Sequence, residues 1–360
     1  MSLQMRWTRR TFLANASLAS AAVVASFSSY AAVTDTEESA ARPLLACIAS
    51  NSTPHALSHQ LEAFALHGRE KHLLATLRSP EPFGAVALHP SRNVMYAAYD
   101  TEEYLGLPGA SIAAFAIEET SRSFVQLSRR ALALSATHPR HVSVSPDGET
   151  VLVSASGGGA YNSFGADTDG NLLGSPNVLK LAGCGPHPFQ HSSQPVFSAF
   201  HRSGRYAYAS DFGCDRVDQI AFVDGTPRIE SRASLLPGSG PCHLAIHPSE
   251  NYIAVVSNLR PLVTIIEINP HSGRLGKASQ RLFLDAATLS HGYFRASGCE
   301  FCVSGRAESG EAAIFILEVD QPSLRVRQTV TEQDYPRLLR ANDDFALLAG
   351  AGATMAFREL

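Results

Sequence analysis

Residues 238–275 read GSGPCHLAIHPSENYIAVVSNLRPLVTIIEINPHSGRL, and three short apolar runs in this stretch decide the fold. The runs Leu244–Ile246, Tyr252–Val256 and Val263–Ile268 are rich in β-branched and aliphatic residues, and clusters of Gly, Pro, Ser and Asn separate them. Short β-prone runs between turn clusters predict a meander of antiparallel strands.

The same plan recurs along the chain. The turn before the second run has counterparts in LHPSRNVMYAAY, VSPDGETVLVSA, FHRSGRYAYASD, FRASGCEFCVSG and LRANDDFALLAG, and a further pair of runs lies between Leu44 and Leu66. All-strand repeats of roughly 40 to 50 residues predict propeller blades. No apolar stripe with helical spacing persists after residue 40. We therefore predict an all-β fold, a seven-bladed β-propeller of four-stranded antiparallel blades over residues 43–360. A β-sandwich or a β-helix is the alternative.

The first residues have a different character. Arg9 and Arg10 precede an Ala-rich, weakly apolar stretch that ends in the small-x-small pattern Ser29-Tyr30-Ala31. This predicts a twin-arginine signal peptide over residues 1–31, followed by a polar lead-in over residues 32–42. Asn15 and several serines interrupt the stretch, so we expect no stable membrane span. The expected location is the periplasm or the exterior.

The charge balance narrows the class of ligand. The formal net charge is −4, and removal of residues 1–31, with three arginines and no acid, makes it −7. A mildly acidic chain without runs of Lys or Arg lacks the positively charged surface that binds the phosphates of nucleic acids. The sequence also indicates no cofactor and no metal ion. A small molecule at the centre of the ring is the expected partner.

Three segments carry a resemblance to a known family: HPRHVSVSPDGETVLVSASGGGA, SGRYAYASDFGCDRVDQIAF and LLPGSGPCHLAIHPSENYIAVVSN. From about Leu44 to the C-terminus, the chain resembles the seven-bladed lactonase family that contains bacterial 6-phosphogluconolactonase and the fungal carboxy-muconate lactonising enzyme. The resemblance implies chemistry at the central mouth, where a proton donor or acceptor works beside cations that hold an anionic group and the developing oxyanion.

Five positions depart from the family pattern. The family's Arg-Gln-x-x-Pro-His-x-His element falls on residues 189–196, where only the glutamine remains. Phe189 replaces the arginine, and Gln194 and Val196 replace the two histidines. In the Gly-Pro-Arg-His element Cys242 replaces the arginine, and in the Asn-Glu-Leu element Asn258 replaces the glutamate. These substitutions remove the charge of the inherited site.

Other polar residues remain within reach of the mouth. We predict His243 or His191 as general base, and the predicted substrate-binding residues are Gln190, Gln194, Cys242, Asn258, Arg260 and His187. The alternative roles are structural: exposed loop histidines for His187 and His191, a turn-capping imidazole for His243, and a solvated charge for Arg260.

Two further groups of polar and small residues favour structural roles. Asp211, Asp215 and Arg216 in DFGCDRV predict a turn cluster that satisfies backbone amides and an internal ion pair. The run Gly157–Gly159 precedes no helix, so we interpret it as a tight turn rather than a phosphate loop.

Six cysteines in an exported chain make a disulfide plausible. From the positions that the resemblance implies, we expect a bridge between Cys242 and either Cys184 or Cys214. Cys299 and Cys302 lie three residues apart on a predicted strand and face opposite sides, so they are poor partners for each other. A nucleophilic role for Cys242, beside His243, is the alternative.

Three hypotheses for function follow. The first is a 6-phosphogluconolactonase-like hydrolase that opens a sugar or carboxylic lactone by attack of water. The second is a catalytically degenerate propeller that binds a small molecule or a protein in the periplasm, which the five substitutions favour. The third is a muconate-type cycloisomerase, which needs the same missing cations.

Overall fold

The computed structural model describes residues 22–26, 44–50, 59–67, 70–295, 297–320, 323–332, 337–341, 346–349 and 355–358. The strands in these ranges form one closed eight-stranded sheet that contains the first two blades, four four-stranded sheets, one three-stranded sheet and a two-stranded hairpin. The one helical segment in the same ranges is the single 3-10 turn Phe212–Cys214. The predicted all-β propeller is therefore confirmed. The predicted arginine pair, cleavage pattern and lead-in lie outside the described residues.

The first two blades are joined at their edges. Blade 1 contains β1 (Ala22–Ser26), β2 (Leu44–Ser50), β3 (His59–His67) and β4 (Glu70–Ser79). Blade 2 contains β5 (Phe83–Leu88), β6 (Val94–Tyr99), a small hairpin of β7 (Glu103–Tyr104) and β8 (Leu107–Pro108), β9 (Ser111–Glu118) and β10 (Ser123–Ala131). Strand β1 runs antiparallel to β2 and parallel to β5. It falls inside the segment predicted to be a signal peptide.

Four complete antiparallel meanders follow. Blade 3 contains β11 (Thr137–Val144), β12 (Thr150–Gly157), β13 (Ala160–Ala166) and β14 (Leu172–Lys180). Blade 4 contains β15 (Pro195–Phe200), β16 (Tyr206–Asp211), β17 (Arg216–Val223) and β18 (Thr226–Ser234). Blade 5 contains β19 (Pro241–Ile246), β20 (Tyr252–Ser257), β21 (Leu262–Ile268) and β22 (Leu275–Phe283). Blade 6 contains β23 (Thr288–Phe294), β24 (Glu300–Arg306), β25 (Ala312–Asp320) and β26 (Ser323–Glu332). Blade 7 contains β27 (Arg337–Ala341), β28 (Ala346–Ala349) and β29 (Met355–Arg358).

Burial explains why the second strand of each meander reads as an unbroken apolar run. Every residue of β6, β16 and β20 is buried, because neighbouring blades cover both faces of these strands. The outermost strand β22, by contrast, alternates between exposed and half-buried residues. The core therefore lies between the blades.

The inner strands of blades 2 to 7 share an irregularity near their first residue. The pairing with the second strand skips one residue in each of them, which leaves a β-bulge at Gly84, Arg140, Val196, Cys242, Ser290 and Leu339. We call these six residues the rim positions, because they stand where each chain enters the central face. The repeat thus places six side-chain positions in equivalent backbone settings.

The turns at the opposite end of the inner strands link successive blades. The Nε2 atom of His201 lies 3.1 Å from Glu250 Oε1 in the turn of the next blade. His247 Nε2 likewise lies 3.1 Å from the carbonyl oxygen of Gly298. A Cβ atom at Gly148 would collide with the His89 imidazole. The turn motif that reveals the repeat therefore also fastens neighbouring blades together.

Candidate active site

A cluster of three ionisable side chains lies at the rim of blade 3. His138 precedes the rim position Arg140, and both face Asp100, which follows β6 in blade 2. His138 Nδ1 lies 2.9 Å from Asp100 Oδ1, and Arg140 NH1 lies 3.9 Å from Asp100 Oδ2. Arg140 Nε also donates to Ser156 Oγ at 3.3 Å. We call Asp100, His138 and Arg140 the blade 3 cluster.

The carboxyl group of this cluster is ionised. Burial opposes ionisation of Asp100, but the hydrogen bond from His138 and the charges of Arg140 and His138 lower its pKa overall. Because an ionised carboxylate only accepts, His138 Nδ1 donates the proton, and the neutral ring carries its lone pair on Nε2. The His138 side chain is 42% exposed. Asp100 therefore orients an accessible imidazole as a hydrogen-bond acceptor and base.

The backbone of His138 adopts a left-handed conformation. Its φ is +52°, in a region that residues other than glycine seldom occupy and in which histidine, asparagine and aspartate are the most frequent of them. This conformation sets the direction in which the His138 side chain leaves the strand.

The equivalent positions in blades 4 and 5 carry no charge. Gln194 and Val196 in blade 4, and Gly240 and Cys242 in blade 5, match His138 and Arg140 in register. Cys242 Sγ lies 3.4 Å from the carbonyl oxygens of both Val256 and Ser290, between blades 5 and 6. Burial raises the pKa of this thiol to about 12. Cys242 is thus a packed donor, which argues against a nucleophilic thiolate.

Below the rim, aromatic rings from successive inner strands form an arc. The ring centroids of His141 and Phe197 lie 4.0 Å apart, as do those of Phe197 and His243, and His243 lies 5.2 Å from both His291 and Tyr293. Burial lowers the pKa of His141 to about 3. Burial, with the nearby His291 and His141, holds the pKa of His243 well below its usual value. Both imidazoles are therefore neutral at physiological pH.

The predicted base His243 is placed unfavourably for that role. Its side chain is 1% exposed, and its Nδ1 accepts a hydrogen bond from the Gly292 amide at 3.4 Å. The proton therefore sits on Nε2, which has no hydrogen-bond partner among the described residues. His243 is available as a buried donor and not as a base.

In the loop between blades 3 and 4, the glutamine side chains form hydrogen bonds with the loop itself and with blade 4. Gln190 is fully buried, and its Nε2 donates to Asp215 Oδ1 and to the Phe212 carbonyl, both at 2.7 Å. Its Oε1 accepts from the His187 amide. Gln194 Nε2 donates to the carbonyl of Phe189 at 2.7 Å. The two glutamines predicted to bind substrate instead hold the loop in shape.

The DFGCDRV residues form the support beneath this loop. Asp211 accepts from Ser193 Oγ and the Gln194 amide, both at 2.7 Å, and pairs with Arg216 NH2 at 2.8 Å. Asp215 accepts from the amides of Gly238 and Gly240 at 2.6 and 2.8 Å. Both carboxylates are buried. Their contacts are with turn amides and side chains of the scaffold.

Asn258 and Arg260 lie apart from the blade 3 cluster. Asn258 Nδ2 donates to the carbonyl of Leu289 at 2.7 Å and so joins blades 5 and 6. Arg260 is exposed and lies over Gly238 on the same face of the ring. Of the two, only Arg260 presents a charge to solvent.

A pocket of about 350 Å³ lies between blades 3 and 4, next to the turn that contacts His138. No residue of the blade 3 cluster lines the pocket itself. Its lining includes Lys180, His191, Ser192 and the turn residues Gly158 and Gly159, and no lining residue is acidic. The preceding residue Gly157 approaches His138 so closely that a Cβ there would lie 3.1 Å from His138 Cδ2. The predicted residue His191 thus belongs to this pocket, whereas His187 is tied into the loop beside it.

The expected disulfide is absent from the structure. All six cysteines are free thiols, and Cys242 is enclosed between blades 5 and 6, where it contacts backbone carbonyls. Cys184 is exposed in the loop between blades 3 and 4, and Cys214 is in the 3-10 turn. The prediction of a bridge to Cys242 was wrong because that residue points into a blade junction.

No group of three or more His, Cys, Asp or Glu side chains in the described ranges has the geometry to hold a metal ion. Within those same ranges, no helix is long and apolar enough to cross a membrane.

Asp100, His138, Arg140 and Lys180 were not among the residues predicted from the sequence. A signal for Arg140 was present, because the tripeptide Pro139-Arg140-His141 matches Pro241-Cys242-His243 in the repeat alignment. The family's arginine, missing from blade 5, has a counterpart at the same rim position in blade 3. No local pattern pointed to Asp100, since it meets His138 from a neighbouring blade.

Comparison with known proteins agrees with the fold and the repeat. A family described as "Lactonase, 7-bladed beta-propeller" matches residues 53–354. The chain is 27% identical to the 6-phosphogluconolactonase of Bacillus subtilis over 276 residues, 74% of this chain and 75% of that protein. It is 24% identical to the 6-phosphogluconolactonase of Erwinia tasmaniensis over 223 residues, 59% of this chain and 63% of that protein.

Two solved structures have the same fold. A protein from Lactobacillus plantarum superposes with a TM-score of 0.73 at 18% identity, over 88% of this chain and 93% of that one. The periplasmic gluconolactonase PpgL of Pseudomonas aeruginosa gives a TM-score of 0.70 at 17% identity, over 87% and 99% of the two chains. With the family match spanning most of its length, this chain belongs to the seven-bladed β-propeller lactonase family.

Proposed function

We propose that this protein hydrolyses the ring ester of a sugar or carboxylic lactone at the rim of blade 3. The observation that carries the proposal is the 2.9 Å hydrogen bond between Asp100 and His138. A carboxylate that fixes one nitrogen of an accessible imidazole leaves the other nitrogen ready to accept a proton from water. Membership of the lactonase family supports the same class of reaction.

His138 and Arg140 have separate roles in the proposed hydrolysis. His138 Nε2 takes a proton from a water molecule while the water oxygen forms a bond to the lactone carbonyl carbon. Arg140 stabilises the negative charge that develops on the carbonyl oxygen. The bond between that carbon and the ring oxygen then breaks, and the protonated His138 returns its proton to the departing alkoxide. The product is the open-chain hydroxy acid.

The pocket between blades 3 and 4 supplies the binding surface. Lys180 and His191 line it without any acidic neighbour, so it favours a substrate with an anionic or strongly polar substituent. Because the curated relatives in Bacillus subtilis and Erwinia tasmaniensis are named 6-phosphogluconolactonases, gluconolactone 6-phosphate and free gluconolactone form the informative substrate pair.

Purified protein should be assayed with gluconolactone, its 6-phosphate and muconolactone. We expect turnover of at least one lactone, and His138→Asn should lower kcat/KM by roughly 100-fold or more. Asparagine tolerates the left-handed backbone of His138, so folding should be retained. His187→Asn is the matched control, because His187 is a half-buried loop histidine near the pocket but outside the cluster.

Two outcomes would reject hydrolysis at this site. Full activity in His138→Asn would place the chemistry elsewhere on the ring. Absence of turnover with every lactone, together with thermal stabilisation by one of them, would favour a binding module that uses the same mouth. The neutral residues Val196 and Cys242 at the rim are the observation that favours this second function.

We also propose that the chain is exported through its twin-arginine signal, which Arg9, Arg10 and the Ser29-Tyr30-Ala31 pattern support. Cleavage after Ala31 would remove strand β1 from blade 1. N-terminal sequencing of the protein recovered from the periplasm or the medium tests this. A mature chain that begins near residue 32 supports export with cleavage, whereas an intact N-terminus in the cytoplasm overturns it.

A further inference from the structure

Cys184 and Cys214, which we did not expect to pair with each other, lie in two segments that are in contact at the mouth. Cys184 is exposed in the loop that leads from β14 to β15, and Cys214 is half-buried in the 3-10 turn after β16. They belong to neighbouring segments of the same rim, and the blade junction that encloses Cys242 is elsewhere.

The loop residues just before Cys184 rest on the turn that holds Cys214. A Cβ atom at Gly183 would lie 3.0 Å from Cys214 Sγ and 3.6 Å from Arg216 NH1. Arg216 NH1 also donates to the carbonyl of Ala182 at 3.2 Å. Since consecutive Cα atoms are about 3.8 Å apart, the Cα of Cys184 lies within roughly 8 Å of Cys214 Sγ. A disulfide places its two Cα atoms about 4.4 to 6.8 Å apart, so the bridge forms when the loop moves towards the 3-10 turn.

The residue after Cys184 is also held. The Gly185 amide donates to the carbonyl of Gln190 at 2.9 Å, and Gln190 is itself bonded to Asp215. Cys184 therefore sits on a short segment fixed at both ends to the support beneath the loop. Loop closure costs little additional entropy when both ends are already positioned.

The electrostatic setting of the two thiols agrees with this proximity. Burial first, then the nearby Asp211 and a charge on Cys184, raise the pKa of Cys214 to about 11 against the opposing effect of Arg216. Cys214 is therefore protonated and unreactive by itself. The exposed Cys184 is the thiol that a soluble oxidant meets first.

We propose that Cys184 and Cys214 are an oxidation site, at which a disulfide forms and fastens the mouth loop over residues 181–194 to blade 4. The oxidant belongs to the class of small disulfides, such as oxidised glutathione. The Cys184 thiolate attacks one sulfur of the oxidant and releases one glutathione thiol. Cys214 then loses its proton, attacks the sulfur of Cys184 and releases the second thiol. Two protein thiols are oxidised and one glutathione disulfide is reduced.

The bridge would act on the mouth. The loop it fastens carries His187 and His191, and Gly183 and His191 line the pocket between blades 3 and 4. A covalent link at Cys184 removes freedom from that wall without touching the blade 3 cluster. The proposal is independent of the lactone chemistry, because it concerns thiols that no catalytic step uses.

Peptide mapping without reduction tests the pairing. The full chain is incubated with oxidised glutathione, free thiols are alkylated, and trypsin is added. We expect the peptides 181–202 and 206–216 to be joined, with the loss of two hydrogens. Cys242→Ser is the matched control and should give the same linked pair. A link from 181–202 to 233–274, or separate alkylation of Cys184 and Cys214 under all oxidising conditions, would overturn the proposal.

A second measurement follows the loop itself. Chymotrypsin can cut after Phe189, and we expect this cleavage to be several-fold slower after oxidation and to recover after reduction. Cys184→Ser removes an exposed thiol and leaves the fold intact, so its cleavage rate should not respond to oxidised glutathione. A Cys184→Ser variant that still gains protection on oxidation would show that another pair is responsible.

Discussion

Asp100 and Asp215 lie in different blades, and each carboxylate accepts hydrogen bonds from the rim of the blade that follows its own. They differ in the kind of group that they bind. Asp100 of blade 2 binds two side chains of the blade 3 rim, His138 and Arg140, that remain partly exposed. Asp215 of blade 4 binds the backbone amides of Gly238 and Gly240 at the blade 5 rim. The first arrangement leaves the His138 and Arg140 side chains partly exposed. The second uses the carboxylate to hold the backbone of the next blade.

The difference separates family membership from the location of the site. Blade 5 has the sequence that identifies the family most clearly, yet its rim position is the half-buried Cys242, whose thiol contacts backbone carbonyls, and His243 is buried below it. Blade 3 carries an imidazole and a guanidinium group in the same backbone setting, which we propose as base and cation. In a ring of repeated units, the active position and the most recognisable segment need not coincide.

The largest effect should come from exchanging the two carboxylates for amides. Asp215→Asn places an NH2 group against the amides of Gly238 or Gly240, which need an acceptor, and weakens a buried charged acceptor of four hydrogen bonds. We expect a loss of about 3 kcal/mol in the free energy of unfolding, measured in urea, with kcat/KM of the folded fraction unchanged.

Asp100→Asn should behave in the reverse manner. Its loss of stability should be below about 1 kcal/mol because its partners are partly exposed, while kcat/KM falls markedly as His138 loses its orientation. If Asp100→Asn and Asp215→Asn had the same effects on kcat/KM and on the free energy of unfolding, the two carboxylates would not have the different roles described above.

The aromatic arc predicts the pH dependence of stability. The pKa values of His141 and His243 are lower in the folded state than in the unfolded state. Below about pH 6.5 these two residues therefore bind protons in the unfolded chain and stay neutral in the folded chain. Stability is therefore full above that pH and falls as the pH drops towards the folded pKa. For His141, whose folded pKa is about 3, the loss at about pH 5 should be roughly 2 kcal/mol.

Blade 4 provides the control for this prediction, since it has Phe197 at the same place in the arc. His141→Phe should reduce the loss of unfolding free energy between neutral pH and about pH 5 by roughly 2 kcal/mol. An unchanged pH slope, measured by urea unfolding at both pH values, would mean that His141 does not titrate in this range on unfolding.

A smaller effect is expected at the cation of the blade 3 cluster. Arg140→Gln keeps a polar side chain at the rim but removes the charge that faces Asp100 and the oxyanion. We expect kcat/KM to fall roughly tenfold, which corresponds to about 1.4 kcal/mol of transition-state stabilisation. Arg260→Gln is the control and should have little effect, because Arg260 lies apart from the cluster. Equal losses in both variants would contradict the assignment of Arg140.

The smallest effect should follow from making the rim of blade 5 like that of blade 4. Cys242→Val matches Val196 in register and has a similar volume, so it removes only the weak thiol donor shared by Val256 and Ser290. We expect a change of about 1 kcal/mol or less in unfolding free energy and no change in lactone turnover. Abolished turnover would revive a nucleophilic role for Cys242.

The fold could be predicted because its signals are local. Each turn, such as His247–Asn251, and each apolar run, such as Tyr252–Val256, lies within a few residues of its partner in the meander, and the structure places β20 over Tyr252–Ser257. The interval of 45 to 56 residues then fixes the architecture. None of this needs a contact between blades.

The site could be predicted only in part, because its determinants cross between blades. His138 is oriented by Asp100 of the preceding blade, so its role cannot be inferred from its own repeat. Gln190 is held by Asp215 on the far side of two strands, a contact that no local pattern shows. Cys242 likewise faces the Ser290 carbonyl of the following blade, which its own segment does not reveal. The resemblance supplied the location of the mouth, while the chemistry at each rim depends on residues 25 to 48 positions away.

The bulge shared by six inner strands has a consequence for how such rings diversify. A bulged residue is skipped by the ladder of backbone hydrogen bonds, so glycine, arginine, valine, cysteine, serine and leucine all occupy it here over the same strand register. A substitution at a bulge leaves the pairing register of the strand unchanged, and the neighbouring blade decides which side chains fit. A Cβ atom at Gly84 would collide with the Pro139 carbonyl oxygen, whereas Arg140 has room for a long charged side chain. The side chain at a rim position can therefore vary between blades wherever the next blade leaves space for it.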